Sequence, residues 1–91
     1  MKACLLRIEG LVQGVGYRQA TVQAALRFGI VGWVRNRRDG SVEAHLQGNA
    51  EAIAAMIAWA HQGPPAAMVE NVLATDVSLI ETTEFTWQPT E

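Results

Sequence analysis

Gly10-Leu11-Val12-Gln13-Gly14-Val15-Gly16-Tyr17-Arg18 lies between a strand-like run at residues 3–8 and a helix-like run at residues 19–28. Three of these nine residues are glycines, which lack a Cβ and let the backbone turn with its amides pointing inward. Successive inward N–H groups form a concavity that binds anions, and a helix N-terminus behind it adds partial positive charge. The pattern indicates a strand, a phosphate-binding turn and a helix.

Arg18 ends this loop with a planar guanidinium, whose fork of donors matches two phosphate oxygens. The loop is not a P-loop, which requires Gly-Lys-Ser/Thr at its end, because Lys2 is the only lysine in the chain. A dinucleotide-binding fold would need a longer, mostly parallel α/β domain. From this loop alone, phosphate binding and a purely structural turn both remain open.

Composition predicts one small folded domain spanning residues 1–91. The chain is 49% hydrophobic and 18% charged, enough apolar residues to bury a core. No apolar run is long enough for a membrane span, and the start of the chain does not resemble a signal peptide, so we expect a cytoplasmic protein. Cys4 is the only cysteine, so it cannot form an intramolecular disulfide. One thiol and two histidines do not make a metal site, and we expect Cys4 to lie in the core.

Charge is distributed unevenly along the chain. All seven basic residues lie at or before Arg38, where Glu9 is the only acid, and eight acids follow from Asp39 onward. The basic half contains the glycine loop, and a local positive field there would steer a small anion toward it. The overall charge of −2 is unlike that of a nucleic-acid binder of this size, which is usually basic.

Hydrophobic periodicity and turn signals set the order of the elements. Alternation predicts a strand at residues 3–9, and Gly29 is suited to end the first helix at Phe28. The sequence also predicts a hairpin through Asp39-Gly40 and an N-cap at Asn49. The remaining elements are strands 30–37 and 41–47, a helix at 50–61, a long strand at 69–80 and a short strand at 85–87.

This order, β-α-β-β-α-β with a short extra strand, predicts an α+β ferredoxin-like sandwich, an antiparallel sheet with two helices on one face. Alternation along the third strand places His45 on the face away from the core, so we expect it to be solvated or to lie at a rim. We expect the three tryptophans to be packing residues: Trp33, Trp59 and Trp87.

A second segment follows the first helix and reads Gly32-Trp33-Val34-Arg35-Asn36, continuing to Gly40 and Val42. Asn36 falls near the end of the second strand, which can approach the glycine loop if the strands are sheet neighbours. Its carboxamide offers one acceptor and two donors, enough to hold a water and an oxyanion together. Asparagine is also common in turns, so Asn36 alone does not distinguish a residue that holds water and an oxyanion from one that only stabilises the turn. The nearby arginines, Arg35, Arg37 and Arg38, fit either a solvated basic hairpin or anion steering.

Taken together, the two segments resemble the two signatures of the acylphosphatase family. The first matches at Gly10, Val12 to Val15, Tyr17 and Arg18, and the second runs from Gly32 to Val42, with Gly48 beyond it. The segment Gly63-Pro64-Pro65, with Ala67, Val69 and Val72, is similar to the family's sequence after its second helix. The resemblance covers essentially the whole chain.

The resemblance implies hydrolysis of acyl phosphates to a carboxylate and inorganic phosphate, without a metal or other cofactor. It implies that Arg18 binds the phosphoryl group and offsets its charge, and that Asn36 positions the attacking water. The only partner implied is a small-molecule acyl phosphate, and a monomer is the default. The phosphate would be bound by the backbone amides of Gln13, Gly14, Val15, Gly16 and Tyr17.

Two other functions are compatible with the same fold. An RNA-binding domain would need paired aromatic residues on the open face of its central strands, where this sequence offers Arg7, Glu9 and Glu43 instead. An acylphosphatase-like binding or regulatory module without significant hydrolase activity is the remaining alternative. Retention of both Arg18 and Asn36 argues against an inactive module.

Overall fold

The computed structural model describes all residues from 1 to 91 and contains five strands and two helices. Both helices lie within a few residues of their predicted positions. Neither is long and apolar enough to cross a lipid bilayer. The elements are β1 (Lys2–Leu11), α1 (Tyr17–Phe28), β2 (Val31–Asn36), β3 (Val42–Gly48), α2 (Ala50–Gln62), β4 (Met68–Asp76) and β5 (Phe85–Gln88).

The strands form one sheet in the order β4-β1-β3-β2-β5. The pairs β1–β3, β1–β4 and β2–β3 are antiparallel, which confirms the ferredoxin-like arrangement. β5 differs from the predicted antiparallel sheet because it pairs with β2 in parallel, which makes the sheet mixed. This pairing places the end of β5 beside the end of β2.

The core lies between the sheet and the two helices. Cys4, Leu6 and Ile8 of β1 alternate with more exposed residues and are buried. They join one cluster with Ala24 of α1 and Met56 of α2. Cys4 is therefore a core residue as predicted, and its burial raises the pKa of its thiol, which reduces its reactivity.

The predicted helix end at Gly29, helix cap at Asn49 and hairpin turn at Gly40 are confirmed. Gly29 adopts a left-handed conformation, with φ of 72°, and its N–H donates to the carbonyl of Ala25. Asn49 caps α2, since its side-chain oxygen accepts from the N–H of Ala52 at 2.8 Å. The hairpin between β2 and β3 turns at Gly40 with φ of 95°. These residues fix where the elements begin and end, independently of the distant contacts.

The expectation that His45 is a solvated or rim residue is wrong. β4 ends at Asp76, earlier than predicted, and residues 77–84 run past β1 and β3 to reach β2 on the face away from the helices. Gln47 holds this segment by two hydrogen bonds with the backbone of Ile80, at 2.9 and 3.0 Å. His45 is consequently buried, 3.1 Å from the side-chain oxygen of Gln47 and stacked on the ring of Trp33.

Tyr17, the first residue of α1, ties the two helices together. Its hydroxyl donates to the carbonyl of Ala60 at 2.7 Å, and the side chain is buried. In a continuing helix that carbonyl would accept from residue 64, but Pro64 has no N–H. The phenol therefore satisfies a carbonyl at the end of α2 that the helix itself leaves free.

Replacing Tyr17 by phenylalanine is expected to lower the free energy of unfolding by about 1–3 kcal/mol at pH 7, because a buried acceptor loses its partner. Burial also raises the pKa of the Tyr17 phenol, whereas in the unfolded chain it is about 10. A group whose pKa is raised on folding stabilises fully below its unfolded pKa and less at higher pH. The advantage of the wild type over the variant should therefore shrink above about pH 10.

Denaturant unfolding of both proteins at neutral and alkaline pH measures this difference. Tyr17 is the only tyrosine, so the ultraviolet absorbance of the phenolate reports its titration directly. Two results would contradict the role given to the buried hydroxyl. One is a difference in the free energy of unfolding between the two proteins that stays constant into the alkaline range, and the other is a phenol that titrates at its ordinary pKa.

Candidate active site

The glycine loop leaves its backbone amides free of partners within the protein. Outside the helices and strands eleven backbone hydrogen bonds form, and none is donated by an amide between Gln13 and Gln19. The first turn of α1 has no intrahelical acceptor for its own N–H groups, and Gly16, its N-cap, provides no side-chain cap. A run of unpaired donors at a helix N-terminus is suited to bind an anion.

Gly14 and Gly16 give the loop its shape. Both have positive φ, 75° and 80°, in the left-handed region that side chains with a Cβ rarely adopt. A Cβ added at either position would meet no atom within 4 Å. Glycine is therefore needed here for its backbone conformation, and the space beside the loop is open.

A cleft of about 450 Å³ opens in front of these amides. It lies where the loop, the start of α1 and the ends of β2 and β5 meet. No aspartate, glutamate or histidine lines it, so the cleft offers donors and a positive charge without a carboxylate or imidazole base. Its lining residues are Val12, Gly14, Gly16, Tyr17, Arg18, Gln19, Asn36 and Trp87.

Arg18 is the charged group of this cleft. Its guanidinium lies over the ring of Trp87, 4.5 Å from the ring centroid, and Nη1 donates to the carbonyl of Gln88 at 3.4 Å. The guanidinium forms no ion pair, in contrast to Arg7, which binds Asp39 at 2.6 Å. The positive charge of Arg18 is therefore available to an anionic ligand.

Ion pairs neutralise two of the three hairpin arginines. Arg35 binds Glu43 at 2.7 Å and Glu91 at 2.6 Å, and Arg37 shares Glu43 at 3.4 Å. Acids of the second half of the sequence thus pair with some of the bases of the first half: Asp39 with Arg7, Glu43 with Arg35 and Arg37, and Glu91 with Arg35. This pairing favours a structural role for Arg35 and Arg37 over anion steering.

Asn36 lies at the end of β2, with its backbone fixed and its side chain free. Its carbonyl accepts a hydrogen bond from the N–H of Glu91 at 3.0 Å, and its backbone is paired with Val42 in the hairpin. The carboxamide forms no hydrogen bond within the protein, although Asn36 is half-buried at the cleft wall. A fixed backbone with an unpartnered carboxamide is suited to position a ligand or a water.

The side chain of Gln13 connects the glycine loop to the hairpin that carries Asn36. Its Nε2 donates to the carbonyls of Arg37 and Ser41 at 2.7 and 2.9 Å. The turn is itself held by Asp39, whose Oδ1 accepts from the N–H and the hydroxyl of Ser41. The Ser41 hydrogen bonds, together with the Arg7 guanidinium, keep the pKa of the Asp39 carboxyl below its usual range.

Replacing Gln13 by leucine is expected to lower kcat/KM for an acyl phosphate by about ten- to a hundredfold, because loop and hairpin lose their fixed spacing. The free energy of unfolding should fall by only about 1–3 kcal/mol for the two lost hydrogen bonds. Gln23→Leu makes the same chemical change on the exposed side of α1 and serves as the control. Equal activity in the two variants would show that the spacing does not depend on Gln13.

Comparison with known proteins places this architecture in a family. The acylphosphatase family model matches residues 4–87. The chain belongs to the acylphosphatase family. An acylphosphatase from Azoarcus sp. (strain BH72) is 49% identical over 90 residues, which cover 99% of this chain and 92% of that protein. Another, from Acidovorax sp. (strain JS42), is 63% identical over 67 residues, 74% of this chain and 69% of that protein.

A solved structure agrees with the family assignment. The crystal structure of acylphosphatase from Bacillus subtilis superposes with a TM-score of 0.94 at 30% identity, covering 97% of this chain and 99% of that one. The two chains therefore share one fold over essentially their full length.

The fold brings most of the predicted site residues of this acylphosphatase-family chain to one cleft. Arg18 and Asn36 line it together with Gly14, Gly16 and Tyr17. The two other loop residues have side chains elsewhere: that of Gln13 reaches the hairpin, and that of Val15 packs against the core. Their predicted contribution is through backbone amides, which does not require the side chain to face the cleft.

Two contributions to the cleft are not apparent from the sequence. The sequence predicts a role for Gln13 only through its amide, whereas its side-chain link to the hairpin depends on contacts between residues 24 and 28 positions apart. Trp87 is predicted to be a packing residue, but 57% of it is exposed and it lies against Arg18 at the cleft. The parallel pairing of β5 with β2 produces this position, and no local pattern signals it.

Proposed function

We propose that this chain hydrolyses the carboxyl–phosphate bond of small-molecule acyl phosphates in the cleft in front of the glycine loop. One observation supports this above the others. Unpaired amides at the start of α1, an arginine without an acidic partner and an unpartnered asparagine carboxamide share one cleft. These groups suit a phosphoryl group and a nearby water, and the chain's family is consistent with that reaction.

In the proposed mechanism the amides of Gln13 to Tyr17 bind the phosphoryl oxygens. Arg18 binds the same group and stabilises charge as the transition state forms. Phosphoryl transfer depends mainly on positioning and charge stabilisation, and one preorganised donor in a comparable site is worth about 10²- to 10³-fold in rate. A loop of amides with one guanidinium can therefore supply much of the acceleration.

Asn36 has the role of positioning water. Its carboxamide oxygen accepts a hydrogen from the attacking water while its NH₂ donates to a phosphoryl oxygen. The water attacks phosphorus, the bond from phosphorus to the bridging oxygen breaks, and a carboxylate leaves with the bonding electron pair. Since the cleft lining has no carboxylate or imidazole, the proton of the water passes to an oxygen of the substrate's own phosphate.

The leaving group explains why this mechanism needs neither a strong acid nor a metal. A carboxylate is a weak base, with a conjugate-acid pKa of about 4, so it departs without protonation. We propose a metal-free reaction for this reason, in a monomeric cytoplasmic protein. Size-exclusion chromatography and cell fractionation test the last two points separately from the chemistry.

The experiment that tests the proposed function is hydrolysis of acetyl phosphate and benzoyl phosphate in the presence of EDTA, with release of inorganic phosphate as the readout. We expect turnover that EDTA does not change. In water enriched in ¹⁸O, the label should enter inorganic phosphate and not the carboxylate, because water attacks phosphorus. A folded protein without turnover would instead favour a binding or regulatory module.

A further inference from the structure

Trp87 is the one apolar side chain in the cleft with a large exposed surface. The other two apolar lining residues, Val12 and Tyr17, are only 1% and 2% exposed, whereas 57% of Trp87 is exposed. A ligand in this cleft therefore meets the polar groups of the loop and the indole of Trp87. Ligand-binding clefts commonly combine aromatic or apolar surface with a few placed polar groups, and this cleft has both.

The position of Trp87 relative to Arg18 sets which part of a ligand would reach it. The indole lies 4.5 Å from the guanidinium carbon of Arg18, the group proposed to bind the phosphoryl oxygens. In an acyl phosphate a single oxygen separates phosphorus from the acyl carbon. With the phosphoryl group between the loop amides and Arg18, the acyl group begins next to the indole.

We propose that Trp87 is the binding platform for the acyl group and that it makes the enzyme prefer acyl phosphates with aromatic or large apolar acyl groups. This inference rests on the proposed function and adds a substrate class to it. An aromatic acyl group would cover part of the exposed indole and gain both apolar burial and ring–ring contact. An acetyl group is too small to cover much of that surface.

A cation–π contact holds the Trp87 ring and the Arg18 guanidinium together. The guanidinium of Arg18 is held near the Trp87 ring, and such contacts are favourable within about 6 Å. Loss of the ring therefore has two separable consequences. Any disturbance of Arg18 lowers the activity toward every acyl phosphate alike, whereas loss of the platform affects only substrates with large acyl groups.

The test compares kcat/KM for benzoyl phosphate and acetyl phosphate in the wild type, Trp87→Ala and Trp87→Phe. A disturbance of Arg18 changes both kcat/KM values by the same factor, so it cancels in their ratio. We expect Trp87→Ala to lower the ratio by about tenfold, mainly through a higher KM for benzoyl phosphate, and Trp87→Phe to retain most of it. Leu26→Ala removes an apolar side chain that is 72% exposed on α1 and should leave the ratio unchanged.

A binding measurement separates failure of this inference from failure of the proposed function. Calorimetry with phenylphosphonate and methylphosphonate compares an aryl group with a methyl group on the same anion, without requiring turnover. The aryl compound should bind more tightly to the wild type, and Trp87→Ala should remove most of that advantage. An unchanged benzoyl-to-acetyl ratio, or an aryl advantage that survives Trp87→Ala, would overturn the platform. Absence of turnover with both acyl phosphates in a folded wild type would count against the proposed function only.

Discussion

Replacing Arg18 by alanine is expected to lower kcat/KM for acyl phosphates by about 10³-fold or more, in the range seen when a transition-state arginine is removed from phosphoryl-transfer enzymes. Arg18 is the one charged residue among those lining the cleft. No carboxylate binds it, so its full charge is available to the phosphoryl group. Steady-state kinetics with acetyl phosphate measure the loss.

Two further variants sharpen the test of Arg18. Arg18→Lys keeps the charge and removes the planar fork of donors, so we expect partial activity between that of the wild type and that of Arg18→Ala. Arg38→Ala removes an exposed hairpin arginine whose side chain makes no ion pair, and its activity should stay near that of the wild type. A folded Arg18→Ala variant that keeps more than a tenth of wild-type activity would show that Arg18 does not have the central role. A tenfold loss of activity corresponds to only about 1.4 kcal/mol.

Asn36→Ala is expected to lower kcat by about 10²- to 10³-fold, the loss typical of one preorganised donor in a catalytic site, with little change in KM. Binding of the phosphoryl group would remain with the loop amides and Arg18, whereas the water would lose its position. The carboxamide has no partner within the protein, so the free energy of unfolding should change by less than about 0.5 kcal/mol. Kinetics together with denaturant unfolding separate these effects.

The pattern of kinetic change distinguishes two possible roles for Asn36. A lower kcat at constant KM corresponds to an interaction made only in the transition state. A higher KM at constant kcat would mean that Asn36 binds the substrate and does not position the water. Asn71→Ala, an exposed asparagine on β4, is the matched control and should leave both constants unchanged.

Features encoded locally are predictable from the sequence. The hairpin through Asp39-Gly40, the cap at Asn49 and the end of α1 at Gly29 each depend on residues that are neighbours in the chain. The glycine loop belongs to the same group, because Gly14 and Gly16 need only their own backbone freedom to take positive φ. The resemblance of the two signature segments then connects Arg18 with Asn36, although the two residues belong to different elements, α1 and β2.

Features that depend on distant parts of the chain are not predictable in the same way. The alternation along β3 places His45 at a position typical of solvent-facing residues, but residues 77–84 cover it. No pattern in β3 indicates that a remote segment does so. Trp87 lies in a short exposed strand whose neighbour is set by sheet order and not by periodicity. Its contact with Arg18 joins residues 69 positions apart, and only the parallel pairing of β5 with β2 brings them together.

The most direct test of the site is a titration of the ¹⁵N-labelled protein with inorganic phosphate, followed by amide chemical shifts. If the glycine loop binds the phosphoryl group, saturable shifts should concentrate at the backbone amides of residues 13–18 and the side-chain NH₂ of Asn36, and Arg18→Ala should weaken them. Saturable shifts centred instead on the hairpin arginines Arg37 and Arg38, or none at the loop, would contradict the assignment of the active site.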